Sequence, residues 1–206
     1  MRKLFTALAA TLALGLLASG ASAEMQKVRI GTEGAYAPFN FIDSNGELQG
    51  FDVDIAKALC EAAKFDCEFV VQDWDGIIPG LLAKKYDAIV ASMSITPERA
   101  EVVDFTNKYY NTPAKFIKAK SSDIAVPEDS IAAADKALDG KIVGVQRGTI
   151  HENFLRDNFP SIVLKVYATQ DEANLDLVNG RVDLVMADSV VLLDGFLSTD
   201  DGKDYE

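Results

Sequence analysis

The segment Ser92-Met93-Ser94-Ile95-Thr96-Pro97-Glu98-Arg99 brings two serine hydroxyls, a helix start and a guanidinium into one short turn. Helix N-termini offer free N–H groups and a positive partial charge. Arginine presents a planar fork that matches a carboxylate at two points. The pattern suits a clamp on the carboxylate of a small ligand. The plainer alternative is that Thr96 caps a helix and Arg99 is a solvated surface charge. A natural counterpart is Asp188, at the end of the run Leu184-Val185-Met186-Ala187. Across a cleft it would hold an ammonium; alone it would cap the next helix. Trp74, Tyr36 and Phe51 are the aromatic candidates for cleft walls, able to enclose a side chain and to offer cation–π contact.

The elements that must position these residues alternate between strand and helix. Val28–Thr32 reads as a strand running into a turn at Glu33-Gly34, and Asp52–Ala63 has helical apolar spacing through Val53, Ala56, Leu59, Cys60 and Ala63. Phe69–Gln72 reads as a strand, Ile77–Lys84 as a short helix and Ala88–Met93 as a buried strand. Thr96-Pro97 opens a further helix, with proline where its missing N–H costs nothing. After Val103 the pattern is extended through Ala114 to Lys120. A second unit comes next, with a helix at Ile131–Leu138, a strand at Ile142–Val145 and a helix at about Glu152–Asn158. Beyond it lie a strand at Val163–Tyr167 and a capping box, Thr169-x-x-Glu172, opening a helix that stops at Gly180. A strand at Val182–Met186, ending at Asp188, leads to an apolar helix at Val190–Leu197. This alternation predicts an α/β fold with parallel sheets covered on both faces. Ligands in such folds sit beyond the carboxyl ends of the strands. Thr32/Glu33, Ser92–Thr96, Arg147–His151 and Asp188 all fall there.

The first residues bear on location. Arg2 and Lys3, an apolar run over Leu4–Leu17 and the small residues Ala21-Ser22-Ala23 match the order of a secretory signal peptide cut after Ala23. The apolar run is too short to cross a bilayer. The net charge is −12 at pH 7, and with Arg2 and Lys3 removed the remainder is still more acidic. Such a surface argues against nucleic acid or anionic lipid as the main partner. Cys60 and Cys67 are the only cysteines, and an even pair in an exported chain reads as a disulfide. A metal site would need further ligands, and the chain has one histidine, distant in sequence. No cofactor or metal is called for.

Three groups of motifs carry a resemblance. They are Gly31-Thr32-Glu33-Gly34-Ala35-Tyr36-Ala37-Pro38-Phe39, Gly50-Phe51-Asp52-Val53-Asp54-Ile55-Ala56, and Asp87-Ala88-Ile89 with Ser92-x-Ser94-Ile95-Thr96-x-x-Arg99. The order continues through Gly144-Val145-Gln146-Arg147-Gly148-Thr149, Gly180-Arg181-Val182-Asp183, Gly195-Phe196 and Gly202-Lys203-Asp204-Tyr205. The set resembles the polar amino-acid-binding proteins of bacterial ABC importers, above all the lysine/arginine/ornithine-, histidine- and opine-binding proteins. That resemblance implies a two-lobe, type II periplasmic-binding-protein fold with mixed, mainly parallel sheets and a hinge. The lobes would be residues 24–111 and 112–206. It further implies a periplasmic monomer that captures an amino acid and docks on ABC permease subunits. Arg99 would grip the α-carboxylate with Ser94 and the Thr149/Ile150 region, and Asp188 and Ser92 would hold the α-ammonium. Tyr36 and Trp74 would sandwich the side chain. Glu33, with Asp52, would meet a cationic end, and His151 would bond a ligand carboxylate or cap its helix.

The chain departs from this pattern in places. Ala91 and Ile150 stand where relatives often carry hydroxyls, Trp74 where basic-amino-acid binders have smaller apolar residues or Phe, and His151 where Gln is frequent. Relatives continue beyond Tyr205 and return to the first lobe, so an open apolar edge, weak stability and impaired closure are expected of residues 24–206 alone. Two other classes share the fold: periplasmic enzymes such as cyclohexadienyl dehydratase, and sensor modules of membrane receptors. No nucleophile–base pair is visible for the first, and no later apolar run could span a membrane for the second.

Overall fold

The computed structural model describes residues 25–206. The signal peptide expected over residues 1–23, with its cut after Ala23, lies outside the described residues. Two sheets organise the chain. In the first, β1 (Gln26–Thr32) lies between β5 (Phe65–Val71) and β6 (Ala88–Ile89), both parallel to it. A small antiparallel meander of β2 (Ala35–Tyr36), β3 (Asn40–Ile42) and β4 (Leu48–Gln49) leads from β1 into helix α1 (Phe51–Ala63). The second sheet has the order β7 (Ala114–Lys118), β10 (Leu184–Asp188), β8 (Ile142–Gln146), β9 (Val163–Tyr167). Its β8 pairs are parallel and β7 is antiparallel to β10, so the sheets are mixed and mainly parallel.

Side chains of a strand alternate between faces, and those of β10 enter two separate cores. Leu184 and Met186 join one with Leu138, Val143, Val145, Leu155 and Phe159, under helices α4 (Ile131–Ala137) and α5 (Ile150–Asn158). Val185 and Ala187 point the other way, to Ile117, Ala173, Leu177, Leu192 and Phe196, under α6 (Gln170–Val178) and α7 (Ser189–Leu192). Both faces are covered, so the strand is apolar up to its terminal Asp188. In the first sheet, α1 packs Ala56 and Cys60 on Ile30. Helix α2 (Ile77–Leu82) packs the opposite face with Tyr86 and Ala91. A Cβ on Gly31 would approach the Tyr86 ring to 2.6 Å, so this crossing requires glycine.

Element boundaries differ from the sequence reading for physical reasons. Strand β5 begins at Phe65, four residues before the expected start, because it is an edge strand on which Asp66 and Glu68 are tolerated. Strand β6 covers only Ala88–Ile89 of the expected Ala88–Met93, and the backbone turns away at Ser92, whose φ is +54°. At β10, Asp183 lies in the connection before the strand, where its backbone N–H and its carboxylate both bond Ile142. The helix expected over Val190–Leu197 is a single α-turn followed by a π-helical turn at Leu193–Leu197. Cys60 and Cys67 form a disulfide joining α1 to β5.

Candidate functional site

A cleft lies where β1, β6, β8 and β10 end, with a narrow cavity at its base. Glu33, Tyr36, Trp74, Ser92, Ser94 and Arg99 line it from one side of the chain, Thr149, His151 and Asp188 from the other. Nine of the ten expected ligand-binding residues therefore share one space. Asp52 does not line it. It is fully buried and accepts hydrogen bonds from Asn40 Nδ2 (2.9 Å), Ser92 Oγ (2.8 Å) and Tyr109 Oη (2.6 Å). Asp52 thus fixes Ser92 from behind. Phe51 is also absent from the cavity wall, being packed against Phe39, Tyr109 and Tyr110.

Arg99 sits in the first turn of α3 (Pro97–Ala100), where Thr96 Oγ1 accepts the Arg99 backbone N–H at 3.2 Å. The guanidinium is not a solvated charge. It donates to the Ser94 carbonyl at 2.6 Å and to the Gly148 carbonyl at 2.9 Å, and lies 5.4 Å from the Trp74 ring centre. Burial lowers its pKa while Glu98 opposes the shift, and it stays charged at any neutral pH. Gly148 has φ +66°, and a Cβ there would meet the Trp74 indole nitrogen at 3.4 Å. Glycine thus permits this turn and keeps the indole within van der Waals reach of it.

Asp188 is the first-turn neighbour of α7 but does not cap it. Its carboxylate accepts from Tyr36 Oη at 2.6 Å and from Thr112 Oγ1, with His151 Nε2 at 3.4 Å. Burial alone would raise its pKa; the bonds from His151, Thr112 and Tyr36 outweigh that, and the net value lies below the ordinary one. A half-buried, ionised carboxylate is a site for a cation. Burial raises the Tyr36 hydroxyl, next to this anion, well above its usual range.

The hydroxyl of Thr149 is committed to the cap of α5: it donates to the Gln146 carbonyl at 2.8 Å and accepts from Glu152 N at 3.2 Å. His151 faces Asp188 and leaves the capping to Thr149. Glu33, at 6% exposure, has its pKa raised to about 7. Burial is the main cause, with Asp171, Asp73 and Asp75 adding to it, while a hydrogen bond from Gln146 opposes it.

Sequence reasoning missed Gln146 and Thr112, which line the cavity or bond its residues, while Ala91 and Ile150, named there as departures from the resembled pattern, line it as well. Gln146 had a usable signal. Like Asp188, it is a polar residue ending an apolar strand, Ile142-Val143-Gly144-Val145. Thr112, an isolated hydroxyl in an extended stretch, had none.

Residues 28–190 match the model of the bacterial extracellular solute-binding proteins, family 3. The L-arginine-binding protein of Pseudomonas aeruginosa is 48% identical over 207 residues, covering 100% of this chain and 76% of that protein. The octopine-binding periplasmic protein of Rhizobium meliloti is 42% identical over 91% of this chain and 70% of its own length. Among solved structures, an ancestral arginine-binding protein bound to glutamine superposes with a TM-score of 0.80 at 34% identity, covering 89% of this chain and 78% of that one. The fold is thus that of the periplasmic binding proteins, and the chain belongs to family 3 of the bacterial extracellular solute-binding proteins.

Proposed function

We propose that the protein is a periplasmic receptor that captures a polar, cationic amino acid and hands it to the membrane subunits of an ABC importer. The ligand class is arginine, lysine, ornithine, histidine or an opine. The observation that carries this reading is the pairing of Arg99 and Asp188 in one cavity: a half-buried guanidinium and a half-buried carboxylate complement a zwitterion. Arg99 grips the α-carboxylate, helped by Ser94 and by the free N–H groups at the start of α5 around Thr149 and Ile150. Asp188 receives the α-ammonium, with Ser92 beside it. Tyr36 and Trp74 enclose the side chain, and Glu33 meets its cationic end.

In this reading residues 24–111 and 112–206 form two lobes, and a ligand that touches both shifts a hinge equilibrium toward closure. Contacts that support it run between the two spans: Arg99 to Gly148, Gln146 to Glu33, Tyr36 to Asp188, and the Arg147–Asp75 ion pair at 2.5 Å. The protein works as a monomer, binds without transforming its ligand and needs no cofactor.

Calorimetric titration with arginine, lysine, ornithine, histidine and octopine tests the proposal. Saturable one-to-one binding of at least one of them is expected, and absence of binding by all five would reject it. A Glu33 carboxyl near pH 7 is also suited to proton transfer. Turnover of a cyclohexadienyl acid would favour the enzyme reading instead.

A further inference from the structure

Glu33 and Gln146 meet at one end of the cavity in a way that limits what the ligand side chain can be. Gln146 closes β8 and is 2% exposed. Its Nε2 donates to Glu33 Oε1 at 2.6 Å and to the Ala168 carbonyl at 3.2 Å. Both amide hydrogens are therefore committed, and turning the amide over would set its oxygen against two acceptors. Glu33 Oε2 and Gln146 Oε1 accept no hydrogen bond among the described residues. Thr32 Oγ1 is the one enclosed side-chain polar atom without a partner among the described residues. The two acceptor oxygens are thus not enclosed, and both residues line the cavity.

We propose that Gln146 is a specificity-determining residue, which fixes the Glu33 carboxylate by one bond and offers its own Oε1 as a second acceptor, so that the site prefers a guanidinium to an ammonium on the ligand side chain. This rests on the amino-acid-receptor reading above. A guanidinium carries five N–H donors in a rigid plane and is weakly hydrated. It can donate to two fixed acceptors at once. An ammonium is a compact, strongly hydrated point charge and loses more on leaving water. The acidic setting supports a permanent cation here: Asp73, Asp75 and Asp171 all act on Glu33, while the fixed charges of Arg99 and Asp188 line the same cavity as His151.

The test is calorimetric titration of the full secreted chain, and of Gln146→Leu and Gln146→Met, with arginine and with ornithine. Wild-type protein is expected to prefer arginine by roughly tenfold or more, the scale of a hydrogen bond to a charged group. Both variants should lose about that factor for arginine and less than roughly threefold for ornithine. The pH midpoint of arginine binding should also move upward in the variants, because the Gln146 bond holds the Glu33 pKa down. Equal losses for the two ligands, an unmoved midpoint, or no arginine preference in the wild type would overturn the proposal and leave the receptor reading intact. A wild type that binds neither amino acid would overturn the proposal, and one that also fails to bind lysine, histidine and octopine would overturn the receptor reading. The wild-type ratio decides even if a variant fails to fold.

Discussion

The Arg99 guanidinium, carried on a turn beyond the first sheet, donates at 2.9 Å to the carbonyl of Gly148, which lies just past a strand of the second. The same group donates to Ser94 at 2.6 Å. It is thus both a link between two parts of the chain and a fork directed at the cavity. Arg99→Lys keeps the charge but loses the fork. Affinity for every α-amino acid is expected to fall by roughly 100-fold, measured by calorimetry. An affinity within about threefold of wild type would remove Arg99 from the carboxylate role.

Glu33 makes binding depend on pH. The unfolded chain holds this carboxyl near 4.5 and the folded chain near 7. Between these values the folded state binds more protons, so the contribution of Glu33 to stability declines as pH rises. A ligand cation favours the ionised form, so arginine affinity should rise by roughly tenfold or more between pH about 5.5 and about 8. In Glu33→Gln the affinity should be lower and this rise absent. The same slope in the variant would assign it to a group other than Glu33.

Asp188 accepts from Tyr36, Thr112 and His151. Asp188→Asn keeps the shape, removes the negative charge and places an amide N–H₂ among donors. Amino-acid binding should weaken by roughly 100-fold, and melting should fall as well. An amino acid lacking its α-ammonium should gain nothing from Asp188, so its affinity should be unchanged by the substitution.

The disulfide between Cys60 and Cys67 closes a short loop, with a sequence separation of 7. The chain-entropy scale gives it about 2.5 kcal/mol. Replacing both cysteines by alanine should lower the melting temperature by roughly 5–10 °C. Neither cysteine lines the cavity, so arginine affinity should stay the same. A shift in affinity would reveal coupling between α1 and the site.

Gly31 gives a packing test. Its missing side chain makes room for Tyr86, whose hydroxyl is tied to the Ile77 carbonyl on α2. Gly31→Ala pushes the ring against that tether. A loss of about 1–3 kcal/mol in denaturant unfolding is expected, as for overpacked cores. No change would show that the ring is free to shift.

How far these features could be read in the sequence depended on how many neighbours each residue answers to. Strand β10 was legible because two covered faces make its run apolar, and its terminal Asp188 stood out against that run. The edge strand β5 was half hidden, since Asp66 and Glu68 meet no apolar constraint there. Asp52 matched a motif close to Ser92 in space, yet a motif does not show which of two bonded residues stands in front. The structure puts Ser92 at the wall and Asp52 behind it. Gln146 was quoted within a motif but given no role, because its meaning comes from Glu33, 113 residues earlier.

Trp74 is the only tryptophan of the chain, and it lies in the cavity wall beside Arg99 and Gly148. All indole emission of the protein therefore originates at the candidate site. Filling that space sets ligand atoms against the ring and beside Arg99, which changes the polarity the excited ring experiences. Occupancy can be monitored in the unlabelled protein by its own fluorescence, with no background from other tryptophans.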